Sequence, residues 1–160
     1  MSNLGLDRYL KSLGIELHRT SVGDRYVVEA MRQNGCNLGA EKSGHIVMAD
    51  HATTGDGLLA ALHFLTILNE SSSKASSLLA AFQAIPQKIV NLTFDPSRDP
   101  MVERDVINLI NQCEKRLGDS GEIIVRKSGT EPVIRVMIQH DDETKVSSII
   151  EEIRSKIQGT

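Results

Sequence analysis

The second half of the chain carries the clearest pattern of hydrophobic and polar positions. Residues 88–94 alternate like a half-buried strand. Apolar residues at helical spacing predict one amphipathic helix over residues 100–117. The runs 122–126 and 133–139 predict two more strands, and residues 142–157 predict a final helix. Strand, helix, strand, strand, helix makes a small α+β domain that is complete in itself.

The inward face of that final helix is predicted from its spacing to hold Val146, Ile149, Ile150, Ile153 and Ile157.

The first half predicts a less complete domain. Residues 4–13 predict a helix and residues 15–17 a short strand. Residues 25–33 predict a second helix, which ends at Asn34-Gly35. Residues 38–43 resemble a loop, and residues 45–49 predict a short buried strand.

Two further helices follow in this half. Residues 57–69 are apolar on most sides, so we expect this helix to be central to its domain. Residues 74–84 predict another helix, closed by Pro86. Two short strands make a marginal sheet, so either another strand lies in the opening residues or the domain has lost its beginning. We therefore predict a partial α/β domain over residues 1–86 and a complete α+β domain over residues 87–160.

Composition narrows the classes of protein. Apolar residues make up 40% of the 160 residues and charged residues 24%, the usual mix of a folded domain, which excludes intrinsic disorder. A net charge of −3 and 3% aromatic residues disfavour nucleic acid as a partner. The longest apolar stretch, residues 58–68, is too short to span a membrane. Two distant cysteines and no signal peptide lead us to expect a reducing, cytoplasmic location.

The segment 126–132 has the strongest chemical signal in the chain. It places two cations, two hydroxyls and a glycine in five successive residues, namely Arg126, Lys127, Ser128, Gly129 and Thr130. Guanidinium, hydroxyl and turned-in backbone N–H groups are the donors of a phosphate cradle. Arg135, on the next predicted strand, would point to the same side. The alternative is a hairpin loop with solvated charges.

A second polar loop covers residues 39–45. It presents Glu41, Lys42, Ser43 and His45 ahead of a buried strand. A carboxylate with a hydroxyl suits vicinal sugar hydroxyls, and an imidazole can move a proton near neutral pH. The alternative is an exposed polar loop in which His45 merely ends the strand.

Other polar residues carry weaker signals. Asp24 and Arg25 could contact a ligand, but we favour Asp24 as the cap of the following helix. Asp56 is likewise favoured as a helix cap. His51 lies near acidic residues at a spacing that matches no metal motif, so we expect no metal site.

Taken in order, these segments resemble the α-D-phosphohexomutase family over nearly the whole chain. The matching blocks are residues 1–6, 22–27, 43–45, 53–57, 126–132 and 135–137. Ala40 is a small departure, because a second glycine is common there. The resemblance implies the C-terminal part of a four-domain enzyme: the later part of its three-layer α/β domain 3, then its small α+β domain 4.

The resemblance also implies an activity. In such enzymes a phosphoserine gives its phosphoryl group to glucosamine 6-phosphate, and the bisphosphate reorients and returns the other phosphoryl, leaving glucosamine 1-phosphate. This step feeds UDP-N-acetylglucosamine and cell-wall precursor synthesis. Phosphomannomutase or phosphoglucomutase activity of the same family stays open as an alternative.

Site roles follow from the same resemblance. Glu41 and Ser43 would hold sugar hydroxyls, and His45 would accept a proton near the reacting hydroxyl. The non-transferred phosphate would be gripped by Arg126, Ser128, Gly129 and Thr130. Further substrate contacts could come from Lys42, Asp24, Arg25 and Arg135.

Two family elements do not occur in the sequence. It holds no Thr-Ala-Ser-His-Asn-Pro-type loop for the phosphoserine and no Asp-Gly-Asp-x-Asp-Arg-type loop for Mg²⁺. We therefore expect this chain alone to be inactive, and to come from a truncated gene, a split gene or a mis-set start codon. Expected partners are a hexosamine phosphate, the missing N-terminal half or a second copy of the chain. A non-catalytic sugar-phosphate-binding module is the other hypothesis.

Overall fold

The structure is a computed structural model that describes residues 2–129 and 131–158. The chain divides into two compact units, residues 1–83 and 84–160. Along the described chain, no helix is both long and apolar enough to cross a bilayer.

The first unit contains helices and one small hairpin. Its elements are α1 (Leu4–Ser12), α2 (Asp24–Asn34), β1 (Leu38–Ala40), β2 (Ile46–Met48), α3 (Gly57–Ser71) and α4 (Ala75–Leu79). α1 begins where the Asn3 side chain accepts a hydrogen bond from the Gly5 N–H at 2.9 Å. α2 ends at Gly35, whose φ of 68° is the left-handed conformation that glycine adopts freely.

The core of the first unit is small. α2 packs Val27 and Met31 against Val47 of β2, and these are its buried apolar side chains among the described residues. β1 pairs antiparallel with β2, with Gly39 opposite Val47. A Cβ atom at Gly39 would lie 2.6 Å from Val27 Cγ1, so the close approach of hairpin and helix requires glycine.

Two predictions for strands in this unit were wrong. Residues 15–17 form no strand, although the chain there is not helical. Residues 38–40, predicted as loop, form β1 instead. A strand requires a hydrogen-bonded partner, and β2 finds that partner in the other arm of its own hairpin.

α3 also differs from expectation. It forms over the predicted residues and extends to Ser71, but none of its residues is buried. Leu58, Leu62 and Leu65 are 73%, 54% and 57% exposed. The prediction of a central helix was therefore wrong for this chain, because a two-stranded hairpin cannot cover an apolar helix of this length.

α4 is shorter than predicted. It covers Ala75–Leu79 and has no side-chain hydrogen bond at its N-terminal cap, Lys74. The serines at its start lower helix propensity because their hydroxyls compete for backbone groups.

The second unit is an α+β sandwich of one sheet and two helices. Its elements are β3 (Gln87–Thr93), α5 (Arg104–Leu117), β4 (Gly121–Lys127), β5 (Val133–His140) and α6 (Glu143–Gln158). The strands are antiparallel in the order β3-β5-β4. This is the strand, helix, strand, strand, helix order that the pattern predicted.

The predicted continuous helix over residues 100–117 is interrupted. Residues Pro100–Val102 form a 3₁₀ turn, and Glu103 has an extended backbone with φ −77° and ψ 125°. α5 starts only at Arg104. Apolar spacing alone does not reveal this break, because Val102 continues the helical spacing in the sequence. In the structure Val102 is 71% exposed and takes no part in the helix face.

The core of the second unit lies between its sheet and α5 and α6. All five predicted inward residues of α6 are buried. The fully enclosed side chains facing them include Leu92, Val106, Ile134, Val136 and Ile138. This core holds together the strands whose ends carry the polar residues of the segment 126–135.

Candidate functional site

The first candidate site is the turn between β1 and β2. The Glu41 N–H donates to the His45 carbonyl at 2.9 Å, and the Gly44 N–H donates to the Glu41 carbonyl at 3.0 Å. Gly44 has φ 96°, a conformation that favours glycine. This tight turn brings the side chains of Glu41, Ser43 and His45 together and leaves Lys42 exposed at its tip.

These three side chains form a connected polar chain. Ser43 Oγ lies 2.9 Å from His45 Nδ1 and donates to Glu41 Oε2 at 3.5 Å. Glu41 is 15% exposed, whereas His45 is 60% exposed. A held carboxylate beside an accessible imidazole can orient a hydroxyl and exchange a proton with it.

Glu41 also anchors a second loop. Its Oε1 accepts a hydrogen bond from the Gly23 N–H at 2.7 Å, 18 positions earlier in the chain. Gly23, with φ 131°, is the residue that caps α2. The start of α2 is therefore tied to the turn between β1 and β2.

The prediction that Asp24 caps α2 was wrong. Asp24 is the first residue of the helix, and its Oδ1 accepts from the Arg25 N–H at 2.7 Å. Gly23 holds the cap position, and its N–H is the group that donates to Glu41. The Asp56 prediction is confirmed, since Asp56 caps α3 by accepting from the Leu59 N–H at 2.9 Å.

The second candidate site lies at the end of the β4-β5 hairpin. Arg126 of β4 is paired directly with Arg135 of β5, and Arg135 is paired with Asn91 of β3. Residues opposite each other in a sheet share one face, so the three side chains form a row. Arg135 Nε donates to Asn91 Oδ1 at 3.0 Å.

A pocket of about 190 Å³ opens beside this row. Its lining includes Asn91, Arg126, Ser128, Gly129, Glu131 and Arg135. The Ser128 N–H donates to the Val133 carbonyl at 2.7 Å, which closes the hairpin. The predicted phosphate residue Thr130 lies outside the described residues.

Lys127, counted among the cradle's cations from the sequence, also lines this pocket, but its ammonium group is paired with a carboxylate. Its Nζ donates to Asp99 Oδ2 at 2.7 Å and lies 5.4 Å from the centre of the Phe94 ring. This hydrogen bond from Lys127 lowers the pKa of Asp99 below its ordinary value. The cations on the face of the pocket row are therefore Arg126 and Arg135.

Sequence reasoning missed Asn91. It sits within a strand that was predicted only from its apolar alternation. The signal that could have identified Asn91 is its polar side chain in the middle of β3. The strand register then places it beside Arg135.

The described residues do not fit a magnesium ion. Within residues 2–129 and 131–158, no three carboxylate, imidazole or thiol side chains come together as a metal-binding group. No chemical step is therefore assigned to a metal on this part of the chain.

Two models of known domains match the chain. Residues 1–85 match the α/β/α domain III of phosphoglucomutase/phosphomannomutase, and residues 74–156 match the C-terminal domain of the same family.

Curated relatives extend this match. The chain is 51% identical to the phosphoglucosamine mutase of Paracoccus denitrificans and 50% identical to that of Parvibaculum lavamentivorans, each over 99% of this chain. In both cases the matched region is 35% of the relative, so the chain spans about a third of the length of these proteins.

Solved structures agree in fold. An N-acetylphosphoglucosamine mutase of Aspergillus fumigatus superposes with a TM-score of 0.79 at 16% identity, covering 98% of this chain and 37% of that one. A second structure of that enzyme, described as a complex with GlcNAc-6P and magnesium, gives a TM-score of 0.72 at 15% identity, covering 98% and 40%. With both domain models matched in order, the chain belongs to the phosphoglucomutase/phosphomannomutase family, of which it holds domain III sequence followed by the C-terminal domain.

Proposed function

We propose that this chain forms the sugar- and phosphate-binding part of a phosphoglucosamine mutase. The reaction would convert glucosamine 6-phosphate into glucosamine 1-phosphate through a phosphoserine and a bisphosphate intermediate. Identity of about 50% to proteins of that name, sustained over 99% of the chain, supports this sugar over glucose or mannose.

The observation that carries the proposal is the pairing of Arg126 with Arg135. Like charges placed directly opposite each other in a sheet destabilise it, unless an anion lies between them. Two guanidinium groups on one face, with Ser128 and Gly129 lining the same pocket, suit a phosphate dianion. We assign the non-transferred phosphate of the substrate to this pocket, with Thr130 as a further donor by family resemblance.

The turn after β1 is assigned to the sugar ring. Glu41 and Ser43 would accept from and donate to neighbouring hydroxyls. His45 would use Nε2 on the reacting hydroxyl, because Nδ1 already lies 2.9 Å from Ser43 Oγ. Residues 1–86 would thus form the sugar-binding domain and residues 87–160 the phosphate-binding domain.

This division of labour would let the same residues serve both poses of the bisphosphate. A phosphate held away from the reacting end supplies binding energy that is the same before and after reorientation. The reacting hydroxyl is then positioned by Glu41, Ser43 and His45 in either pose.

The remaining chemistry must come from other protein segments. Phosphoryl transfer requires a phosphate donor and groups that neutralise charge, which Mg²⁺ supplies in this class of reaction. The sequence contains neither the phosphoserine loop nor the metal loop, so we propose that the chain alone has no mutase activity. The expected cytoplasmic location stays a prediction.

A chimeric enzyme tests the function. This chain would replace the matching C-terminal 35% of the Paracoccus denitrificans relative, and glucosamine 1-phosphate formation would be measured. We expect turnover in the chimera, none in the isolated chain, and a large loss when the chimera carries Arg126→Gln. A folded chimera without turnover, or turnover by the isolated chain, would contradict the proposal.

A further inference from the structure

A second cleft lies in the first unit, between one face of α2 and the loop before α3. Its volume is about 530 Å³, within the range of small-molecule sites. The lining residues used here are Asp24, Arg25, Glu29 and Arg32 from α2, and Thr53 and Thr54 from the loop.

The α2 wall of this cleft alternates in charge. Arg25 and Arg32 are seven positions apart and Glu29 lies between them, a spacing that puts all three on one helix face. With Asp24 the wall has two positive and two negative groups and a formal charge of zero. Among the described residues, neither guanidinium forms an ion pair, and Glu29 accepts only a long hydrogen bond of 3.5 Å from Gln33 Nε2.

Both walls of the cleft are attached to the sugar-binding turn. On the α2 side, Gly23 donates to Glu41 Oε1 immediately before Asp24. On the loop side, the Asp56 N–H donates to the Ile46 carbonyl at 3.2 Å, and a Cβ at Gly55 would lie 4.0 Å from His45 Cδ2. A ligand held by Glu41 and His45 therefore has the cleft beside it.

The geometry points to this cleft as the site that recognises the amino group of the substrate, with Asp24 and Glu29 as the specificity-determining residues. The inference rests on the proposed function and adds the basis of sugar choice. An ammonium group gains a charge-assisted contact from either carboxylate. Arg25 and Arg32 keep the cleft neutral, so the phosphate of the same molecule is not repelled.

A sugar phosphate without the amino group would bind more weakly in the same cleft. Its hydroxyl carries no charge, so it forms no charge-assisted contact with either carboxylate. Discrimination then comes from that lost attraction. Zwitterionic hexosamine phosphates are favoured, and neutral-ring hexose phosphates are disfavoured.

The test compares glucosamine 6-phosphate with glucose 6-phosphate on the full 160-residue chain. Backbone amide shifts of residues 24–33 and 53–55 would give dissociation constants for the wild type and for Asp24→Asn, Glu29→Gln and the control Glu70→Gln. Glu70 is an exposed residue on α3 that does not line the cleft. We expect the wild type to prefer glucosamine 6-phosphate by roughly tenfold, the energy of one good charged contact.

Either cleft substitution should reduce that preference toward unity by weakening glucosamine 6-phosphate alone, and Glu70→Gln should not. Deprotonating the sugar amine at higher pH should abolish the preference in the wild type as well. Equal affinities in the wild type, or equal weakening of both sugars by Asp24→Asn, would overturn the inference while leaving the proposed function intact. Absence of shifts anywhere with both sugars would instead refute sugar-phosphate binding, and the inference with it.

Discussion

Arg126 and Arg135 face each other across the β4-β5 ladder, each on the strand that leads into or out of the same hairpin loop. A sheet without a ligand would be more stable with a neutral residue at either position. Retaining two cations there is consistent with a binding role that offsets a small loss in stability. By the same argument, functional residues are expected at positions where a charged side chain lowers the stability of its own strand or helix.

Replacement of Arg126 should separate binding from stability. We expect Arg126→Gln to weaken phosphate and sugar-phosphate binding by tenfold or more, and to leave the free energy of unfolding unchanged or raised by about 0.2–1 kcal/mol. Phosphate titration and urea unfolding measure the two effects. Arg104→Gln, at the exposed start of α5, is the control and should change neither. A variant that binds phosphate normally would remove Arg126 from the site.

Asp99 should make the stability of the second unit depend on pH. The hydrogen bond from Lys127 lowers the pKa of Asp99 in the folded state. Its contribution to stability is therefore present above the unfolded pKa of about 3.9 and is lost as the pH falls through the lower folded value. Asp99→Asn should lower the urea midpoint near neutral pH and have little effect at strongly acid pH. The exposed Asp119→Asn is the control, and a constant difference at all pH values would contradict this prediction.

Burial should decide the effect of isoleucine truncation in the same sheet. Ile138 on β5 is fully buried, whereas Ile89 on β3 is 43% exposed. We expect Ile138→Ala to destabilise the second unit by about 2–5 kcal/mol, and Ile89→Ala by clearly less. Loss of the amide signals of residues 84–158 in urea measures both. Similar midpoints for the two variants would mean that the core is not where the structure places it.

The exposed apolar face of α3 should promote self-association. Leu62 is 54% exposed and lies between Leu58 and Leu65, which are 73% and 57% exposed, so the three leucines form a larger apolar stripe than single scattered residues do. Leu62→Glu should shift sedimentation toward the monomer without loss of helix signal in circular dichroism. A wild-type chain that sediments as a monomer at all concentrations would contradict this prediction.

The second unit was the more predictable half because its signals are local and repeated. Five α6 positions at helical spacing, and the alternation over residues 88–94, are set by burial on one face. The break at Glu103 was missed because apolar spacing continues through it. The predictions of a strand at residues 15–17 and of a central, buried α3 were wrong for another reason. A strand or a buried face depends on a partner that local pattern does not supply.

The candidate site was predictable in its residue types but not in its contacts. Glu41, Ser43 and His45 share a short loop, so their proximity follows from sequence. The hydrogen bond from Gly23 to Glu41 spans 18 positions and depends on how the hairpin packs on α2. The engagement of Lys127 with Asp99 and the place of Asn91 beside Arg135 likewise depend on strand register and on packing between elements.

Titration of glucosamine 6-phosphate into the labelled chain, followed by backbone amide shifts, tests the central claim most directly. Two separate loops are assigned to one ligand, so residues 41–45 and residues 126–129 should both shift, with a common dissociation constant. Arg126→Gln should reduce the response at both loops. A folded chain in which neither loop responds would contradict the account.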